Sequence, residues 1–440
     1  MIIMKFGGTS VENAQNIRKT AKIVESRLSK KPIVVVSALG GTTDALIAAA
    51  NSATRNGSRD KLNEIILRHY NVIEELGLQQ GIIEKEVRML NRLMDGISLL
   101  EELTPKSLDK LMSFGERMSA RIVAAYMSSI GMAANAYDAY DLGLITESNF
   151  GDADVLPKSY QTIKISISKI RAIPVITGFI GKSREGEITT LGRGGSDYTA
   201  SIIGAAVGAR EIQIWTDVNG IMTADPKVVR SARSIAVVSY DEASELAFLG
   251  AKVLHPKTIL PAIDHNIPVR ILNTFNPSHS GTTVLKDINA RPRVASITCR
   301  KRIKVINIST PKMFQTHGFL RRIFEIFDAH GISVDMVSTS EVNVSLTIDG
   351  KNKTDSLAEE LGKIAEVDVK NDRAKVSLVG HGIMHMPGML GSMFTALNGI
   401  DVEMISSSIS EINQSFVVKE EEADTAVKRL HSTFWHGKLY

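Results

Sequence analysis

Hydrophobic and polar positions divide the chain into two kinds of text. In the first kind, short continuous apolar runs alternate with long helical stretches. Ile2–Phe6 and Pro32–Ala38 are uninterrupted enough to predict strands buried on both faces of a parallel sheet, and a helix to about Leu28 separates them. Ser58–Ser129 carries a period near 3.6 almost throughout, as in Leu62, Ile65, Ile66, His69 and then Val72, Ile73, Leu76. Strand-like segments return at Ala133–Tyr137, Ile173–Phe179, Glu187–Leu191, Glu211–Trp215 and Ile267–Asn273, with helices predicted over Tyr198–Gly208 and Ser239–Leu249. Thr274–Pro292 is rich in Pro, Ser, Gly and Asn, and the domain boundary is placed there.

Beyond it the pattern becomes β-α-β-β-α-β: Lys304–Thr310, Gly318–His330, Ile332–Ser338, Val342–Ile348, Asp355–Ile364, Val367–Lys370. It then repeats over Lys375–Gly380, Gly388–Gly399, Asp401–Ser407, Ile412–Val418 and Glu421–Thr433, one strand short. The unused strand Val294–Arg300 is expected to complete this second copy, so that the two units interleave. Glu420–Glu422 suits a helix start.

The 440 residues allow two or three domains, and a 43% hydrophobic, 23% charged composition is that of a globular protein. A net charge of +4 without a basic face gives nucleic-acid binding no support. The single Cys299 fits a reducing compartment. Ile2–Phe6 already reads as the first strand rather than a leader, and no apolar run reaches membrane-spanning length; a cytoplasmic protein is expected.

Candidate chemistry concentrates in loops that follow strands. Gly7-Gly8-Thr9-Ser10 follows Lys5, and Gly40-Gly41-Thr42-Thr43 follows Ser37. Gly192-Arg193-Gly194-Gly195-Ser196-Asp197 lies between a strand and a helix. Such loops present backbone N–H groups and a positive dipole end to phosphate, although Ser10, Ser196 or Asp197 could equally be plain helix caps. The dinucleotide fingerprint fails because Asp197 stands at the last Gly position, and Gly181-Lys182-Ser183 is no P-loop because Ile176 stands at the first. His381 and His385 are read as loop histidines, and no side-chain metal site is predicted. Lys5, Arg193, Asp197 and Asp217 suit phosphate with Mg²⁺. The absence of an evident catalytic base favours a carboxylate acceptor, already ionised at pH 7, over an alcohol.

Lys5-Phe-Gly-Gly-Thr-Ser10, Ser113-Phe-Gly-Glu116, Gly192–Asp197, Trp215-Thr-Asp-Val218 and Gly250-Ala-Lys-Val-Leu-His-Pro256 together resemble the aspartate kinase family over nearly the whole chain, and the C-terminal repeat resembles its paired ACT domains. The length resembles the monofunctional type, without a fused homoserine dehydrogenase. The resemblance implies an amino-acid-kinase-type α/β open sheet sandwiched by helices over residues 1–290, followed by two α+β ferredoxin-like ACT domains. These would span 302–373 and 374–440, the second with strand 294–300.

It also implies ATP-dependent phosphorylation of the β-carboxylate of L-aspartate, with ATP and Mg²⁺. Lys5 would neutralise the transferring phosphoryl group and Asp197 would hold the lysine and substrate groups. Ser37, Thr43, Glu116, Arg193 and Ser196 would bind the substrate, with Arg193 on the α-carboxylate and Glu116 on the α-ammonium. Gly7, Gly8, Thr216, Asp217, Met222, Lys227 and Lys252 would bind ATP. Met222 stands where a Tyr, and Lys227 where an Arg, is usual. Kinases of the same fold acting on N-acetylglutamate, glutamate or UMP are rivals, as is an inactive amino-acid sensor; Glu116 with Arg193 favours a free amino acid.

The ACT pair implies feedback by a lysine, threonine or methionine end product. Met313, Thr316, Gly318, Phe319, Leu320, Val334, Asp335 and Ser340 resemble the site of lysine-inhibited members. A homodimer, or a dimer of dimers, joined through the ACT domains is expected.

Overall fold

The computed structural model describes all 440 residues except 56, 58, 250–253, 289–290, 312–316, 408–411 and 437–440. Among the described residues the elements run β1 (Ile2–Phe6), α1 (Ala14–Glu25), β2 (Pro32–Val36), α2 (Thr42–Ala53), α3 (Asp60–Glu75), α4 (Glu84–Leu100), α5 (Pro105–Ser129), β3 (Ala134–Tyr137) and β4 (Ile145–Thr146). There follow α6 (Lys158–Ser168), β5 (Ile173–Thr177), β6 (Ile180–Ser183), β7 (Ile188–Thr190), α7 (Gly195–Val207), β8 (Ile212–Thr216), β9 (Val237–Ser239), α8 (Tyr240–Phe248), α9 (Pro256–Asp264), β10 (Val269–Asn273) and β11 (Thr282–Leu285). The C-terminal third holds β12 (Ser296–Ser309), α10 (Phe319–Ala329), β13 (Val334–Thr339), β14 (Asn343–Asp349) and α11 (Asp355–Gly362). It ends with β15 (Glu366–Val379), α12 (Met389–Ala396), β16 (Met404–Ser407), β17 (Asn413–Lys419) and α13 (Glu420–His436).

The chain forms two compact units. The first comprises Met1–Ile221, Ala236–Tyr240 and Val253–Asp287; the second comprises Met222–Ile235, Asp241–Lys252 and Ile288–Tyr440. The expected catalytic stretch 1–290 is therefore not one unit, because two of its segments group with the C-terminal third.

In the first unit an eight-stranded sheet has the order β3-β5-β2-β1-β8-β10-β11-β9. It is parallel from β3 to β10. Strand alternation places the chemistry. Ile2, Met4 and Phe6 join the core cluster with Ile17, Leu46 and Phe114 of α1, α2 and α5. Ile3 touches Gly204 of α7 on the other face, and Lys5 points the same way. The order reverses at β1, flanked by β2 and β8, and such a switch point opens a crevice at the strands' C-terminal ends. Gly7-Gly8 and Ser37 stand there.

Several local expectations are corrected. Asn13, not Ser10, caps α1, accepting from the Asn16 N–H at 2.9 Å, because a 3₁₀ turn at Gly8–Val11 intervenes. Ser10 instead shares a 2.7 Å hydrogen bond with Thr274. Neither Ser196 nor Asp197 caps α7; the helix begins at Gly195 behind Gly194, whose φ of 70° is left-handed, and both side chains fall within its first turn. The supposed linker Thr274–Pro292 contains β11, which pairs antiparallel with β10.

In the second unit a six-stranded sheet runs β13-β14-β12-β15-β17-β16. Two strands of 14 residues each span both repeats. Ile303–Ser309 of β12 pairs with β14, whereas Ser296–Arg300 pairs antiparallel with Lys375–Val379 of β15. Ile297 accordingly packs among Val376, Phe416, Ala426 and Leu430. Met222–Ile235 joins this same core through Ala224 and Val229. The Ile297 N–H donates to the Thr223 carbonyl at 2.8 Å.

Candidate active site

A cavity of about 370 Å³ opens at the switch point. Lys5, Gly8, Ser37, Thr43, Glu116, Arg193 and Ser196 line it. Lys5 Nζ lies 2.6 Å from Asp197 Oδ1, both largely buried, so the lone cation of β1 is held by the first turn of α7. A Cβ on Gly7 would lie 3.6 Å from that Nζ, and one on Gly8 would press to 3.2 Å on the Ala38 carbonyl. A side chain at Gly7 would meet the lysine head, and one at Gly8 would crowd the neighbouring loop.

Glu116 is 3% exposed. Its Oε1 accepts from the Ala38 N–H at 3.1 Å, while its Oε2 has no hydrogen-bond partner among the described residues. Burial pushes the carboxyl up to about 8, against the opposing pull of the Ala38 N–H and Lys5. A buried acid with one unsatisfied oxygen facing a cavity is built to meet a cationic group. Gly115 beside it lets α5 approach: a Cβ there would lie 2.8 Å from Ala38 Cβ.

The remaining walls are held from outside. Arg68 of α3 donates to the Gly40 carbonyl at 2.6 Å and to the Glu12 carbonyl at 3.1 Å, clamping two glycine loops together. Gly178 admits the start of α7, since a Cβ there would come within 2.5 Å of Ser196 Cβ. Phe179, in the left-handed region at φ 68°, lines the cavity against Gly195. Lys257 of α9 pairs with Asp154 at 3.1 Å beside the Gly192 loop.

The amino acid kinase family profile matches residues 1–273, and an ACT domain profile matches 306–359 and 376–434. Aspartokinase 2, chloroplastic, of Arabidopsis thaliana is 41% identical over 457 positions, spanning 98% of this chain and 84% of that protein. Lysine-sensitive aspartokinase 3 of Escherichia coli K12 is 34% identical over 99% of both. The chain belongs to the aspartokinase family. It is an aspartate kinase with a catalytic amino acid kinase domain followed by ACT domains. The solved structure of E. coli aspartokinase III in complex with aspartate and ADP, in the R-state, superposes with a TM-score of 0.80 at 32% identity, covering 99% of this chain and all of that one. The same enzyme with lysine and aspartate, in the T-state, gives 0.84 at 32% identity over 99% of both chains.

Not every residue singled out in the sequence gathers at this cavity. In the kinase, Thr216 ends β8 and Asp217 follows it; the Trp215 carbonyl of that strand accepts from the Gly7 N–H at 3.1 Å, and neither Thr216 nor Asp217 is among the residues lining the cavity. Met222 and Lys227 belong to the second unit. There the Met222 carbonyl accepts from Ser296 Oγ at 2.8 Å, and the Lys227 N–H donates to Asp225 at 2.9 Å. Lys252, Met313 and Thr316 lie outside the described residues. In the ACT region Asp335 already accepts from Arg300 at 2.8 Å, and Ser340 Oγ accepts from the Asn343 N–H at 3.2 Å. Gly318, at φ 79°, precedes α10, where Phe319 is buried and Leu320 exposed; Val334 opens β13.

Sequence reasoning passed over Asp44, Phe179, Arg68 and Asp109. Asp44, the residue directly after the singled-out Gly40–Thr43 loop, also lines the cavity and could have been found from that adjacency. Among the described residues no group of three His, Cys, Asp or Glu could hold a metal, and no helix is long and apolar enough to cross a membrane.

Proposed function

We propose that the cavity binds L-aspartate by its two α-groups and presents the β-carboxylate to the γ-phosphate of ATP. The observation that carries this is Glu116: a buried carboxylate, unsatisfied on one oxygen, sharing a cavity with an arginine and a lysine. Glu116 takes the α-ammonium, and Arg193 takes the α-carboxylate with its planar fork. Ser37, Thr43 and Ser196 supply hydroxyls along the wall. The β-carboxylate oxygen then forms a bond to the γ-phosphorus as the bond to the bridging oxygen of ADP breaks. Lys5, fixed by Asp197, neutralises the transferring group. No base is required, since the acceptor is already an anion.

The Gly7–Gly8 and Gly40–Gly41 backbones, with Thr216 and Asp217, suit the phosphate side, and the assignment of Met222, Lys227 and Lys252 to the nucleotide rests on the family resemblance alone. Mg²⁺ carried on the nucleotide phosphates would neutralise their charge when bound. The two-point grip also argues against N-acetylglutamate and UMP, which offer no ammonium.

The name of the lysine-sensitive relative and the lysine complex of its structure support L-lysine as a feedback inhibitor. Gly318, Phe319, Leu320, Val334, Asp335 and Ser340, with Met313 and Thr316, would form the effector site of the first ACT domain at 302–373. The second would span 374–440 with strand 294–300, and homodimers or dimers of dimers would form through these domains. The product, an acyl phosphate of aspartate, feeds lysine, threonine and methionine synthesis. The single cysteine, Cys299, suits a reducing cytoplasm. Coupled ADP release tests the acceptor: aspartate should support turnover, while equal turnover with N-acetylglutamate or UMP would sink the assignment.

A further inference from the structure

Asp109 lies seven residues before Glu116 in α5, two turns away and therefore on the same helix face. Asp109 is 1% exposed, and none of the ion pairs among the described residues includes it. Its Oδ2 accepts from the Thr190 N–H at 2.8 Å and from the Gly151 N–H at 3.0 Å. Its Oδ1 accepts from Thr190 Oγ1 at 2.9 Å. Burial raises its pKa against the lowering by these three donors.

The partners matter more than the count. Thr190 ends β7, three residues before Arg193, and its carbonyl accepts from the Ala153 N–H at 2.9 Å. Asp152, between Gly151 and Ala153, packs against Gly192. Lys106, one turn before Asp109, pairs with Glu187 at 2.8 Å, just ahead of β7. Gly192 and Gly194 flank Arg193 with φ of 71° and 70°, so the arginine loop has little internal stiffness and takes its position from what anchors its ends.

We propose that Asp109 is a positioning residue that locks the Arg193 loop to α5, so that one rigid helix sets the spacing between the ammonium-binding carboxylate of Glu116 and the carboxylate-binding guanidinium of Arg193. The helix thereby acts as the ruler that selects an α-amino acid. This inference rests on the proposed roles of Glu116 and Arg193.

The test is a double-mutant cycle in the full-length kinase, with KM for aspartate, KM for ATP, kcat and melting temperature measured for each variant. Arg193→Ala alone should raise KM for aspartate about 100-fold, the scale of a lost charge-assisted fork. Asp109→Asn, which cannot accept from all three donors, should raise KM for aspartate about tenfold, with KM for ATP and kcat within about twofold. In the Arg193→Ala background the same substitution should add less than about twofold, because there is no guanidinium left to position. Thr190→Val removes one of the three bonds; it should give a smaller shift of the same kind and serves if Asp109→Asn does not fold. If Arg193→Ala leaves KM for aspartate unchanged, the proposed function fails and this inference with it. If Arg193→Ala acts as expected but the Asp109 or Thr190 substitution is fully additive, or lowers kcat and both affinities alike, Asp109 is only structural and this inference alone is overturned.

Discussion

Single residues decide the chemistry, and Lys5 is the clearest case. Its side chain is 11% exposed and held 2.6 Å from Asp197. Lys5→Ala should lower kcat by about 10²–10³ while the melting temperature changes little, by analogy with the loss of one preorganised transition-state donor. Retention of most of the activity in a folded variant would contradict the role. Glu116 makes a different prediction. With its carboxyl near 8, it is mostly protonated at pH 7 in the empty enzyme. An arriving ammonium favours the charged form, so aspartate binding should expel close to one proton at pH 7. Calorimetry in buffers of different ionisation enthalpy reads this directly; heats independent of the buffer would contradict it.

The sign for stability follows from the same shift. A carboxyl raised above its ordinary value contributes stability below about 4.5 that is lost as pH rises through about 8. Glu116→Gln should therefore narrow the loss of melting temperature between pH 5 and 9 while raising KM for aspartate at least about tenfold. Glu116 and Arg193 drew their roles in the sequence from the family resemblance, since Glu116 taken alone reads equally well as a solvated glutamate. Asp109 and Arg68 were not legible there, because a polar residue in a helical pattern looks solvated until the fold puts a loop against it.

At the scale of elements, glycines and shared strands carry the argument. Gly178→Ala should cost about 1–3 kcal/mol and lower kcat, since the new Cβ would displace the start of α7. Chemical denaturation and steady-state kinetics on one preparation would check both. The borrowed strand makes a sharper case. Ile297 is buried with Phe416 and Leu430, over a hundred residues later in the chain. Ile297→Ala should cost about 2–5 kcal/mol, and removal of Glu421–Tyr440 should speed amide exchange at Ile297; unchanged exchange would rule out a shared core.

Helix and strand periodicity recovered most elements, including the interleaved repeat. It divided β12 between Arg300 and Lys304 and β15 between Lys370 and Lys375, where the residues are mostly polar. Both strands in fact continue, with Arg302 and Asp372 in the left-handed region at φ 56° and 54°, and pairing of β12 with β15 is irregular there. β11 was hidden for the opposite reason: its four residues sit among turn formers, and only pairing with β10 and β9 makes them a strand.

For the whole molecule, the compact units cut across the sequence order. Met222 and Lys227, which the family resemblance places on the nucleotide side, lie in the segment Met222–Ile235, anchored in the core of the C-terminal unit by Ala224, Val229 and a 3.0 Å contact between Thr223 and His431. No local pattern could announce this, because Thr223–Pro226 is rich in turn formers and the segment's partners arrive more than 70 residues later. On this account L-lysine inhibits the kinase by about 1–3 kcal/mol of coupling, a several-fold to hundred-fold effect, and Asp335→Ala relieves it without changing uninhibited kcat. Inhibition by threonine but not lysine would reassign the effector.

The central claim is that this cavity delivers the side-chain carboxylate of an amino acid, held at both α-groups, to a phosphoryl group. Trapping the acyl phosphate with hydroxylamine tests it most directly. The wild-type kinase with ATP and L-aspartate should give the β-hydroxamate in step with ADP release. Arg193→Lys should give the same product only at much higher aspartate, with KM for ATP nearly unchanged. Hydroxamate formation that is indifferent to Arg193→Lys, or ADP release without hydroxamate, would contradict the account.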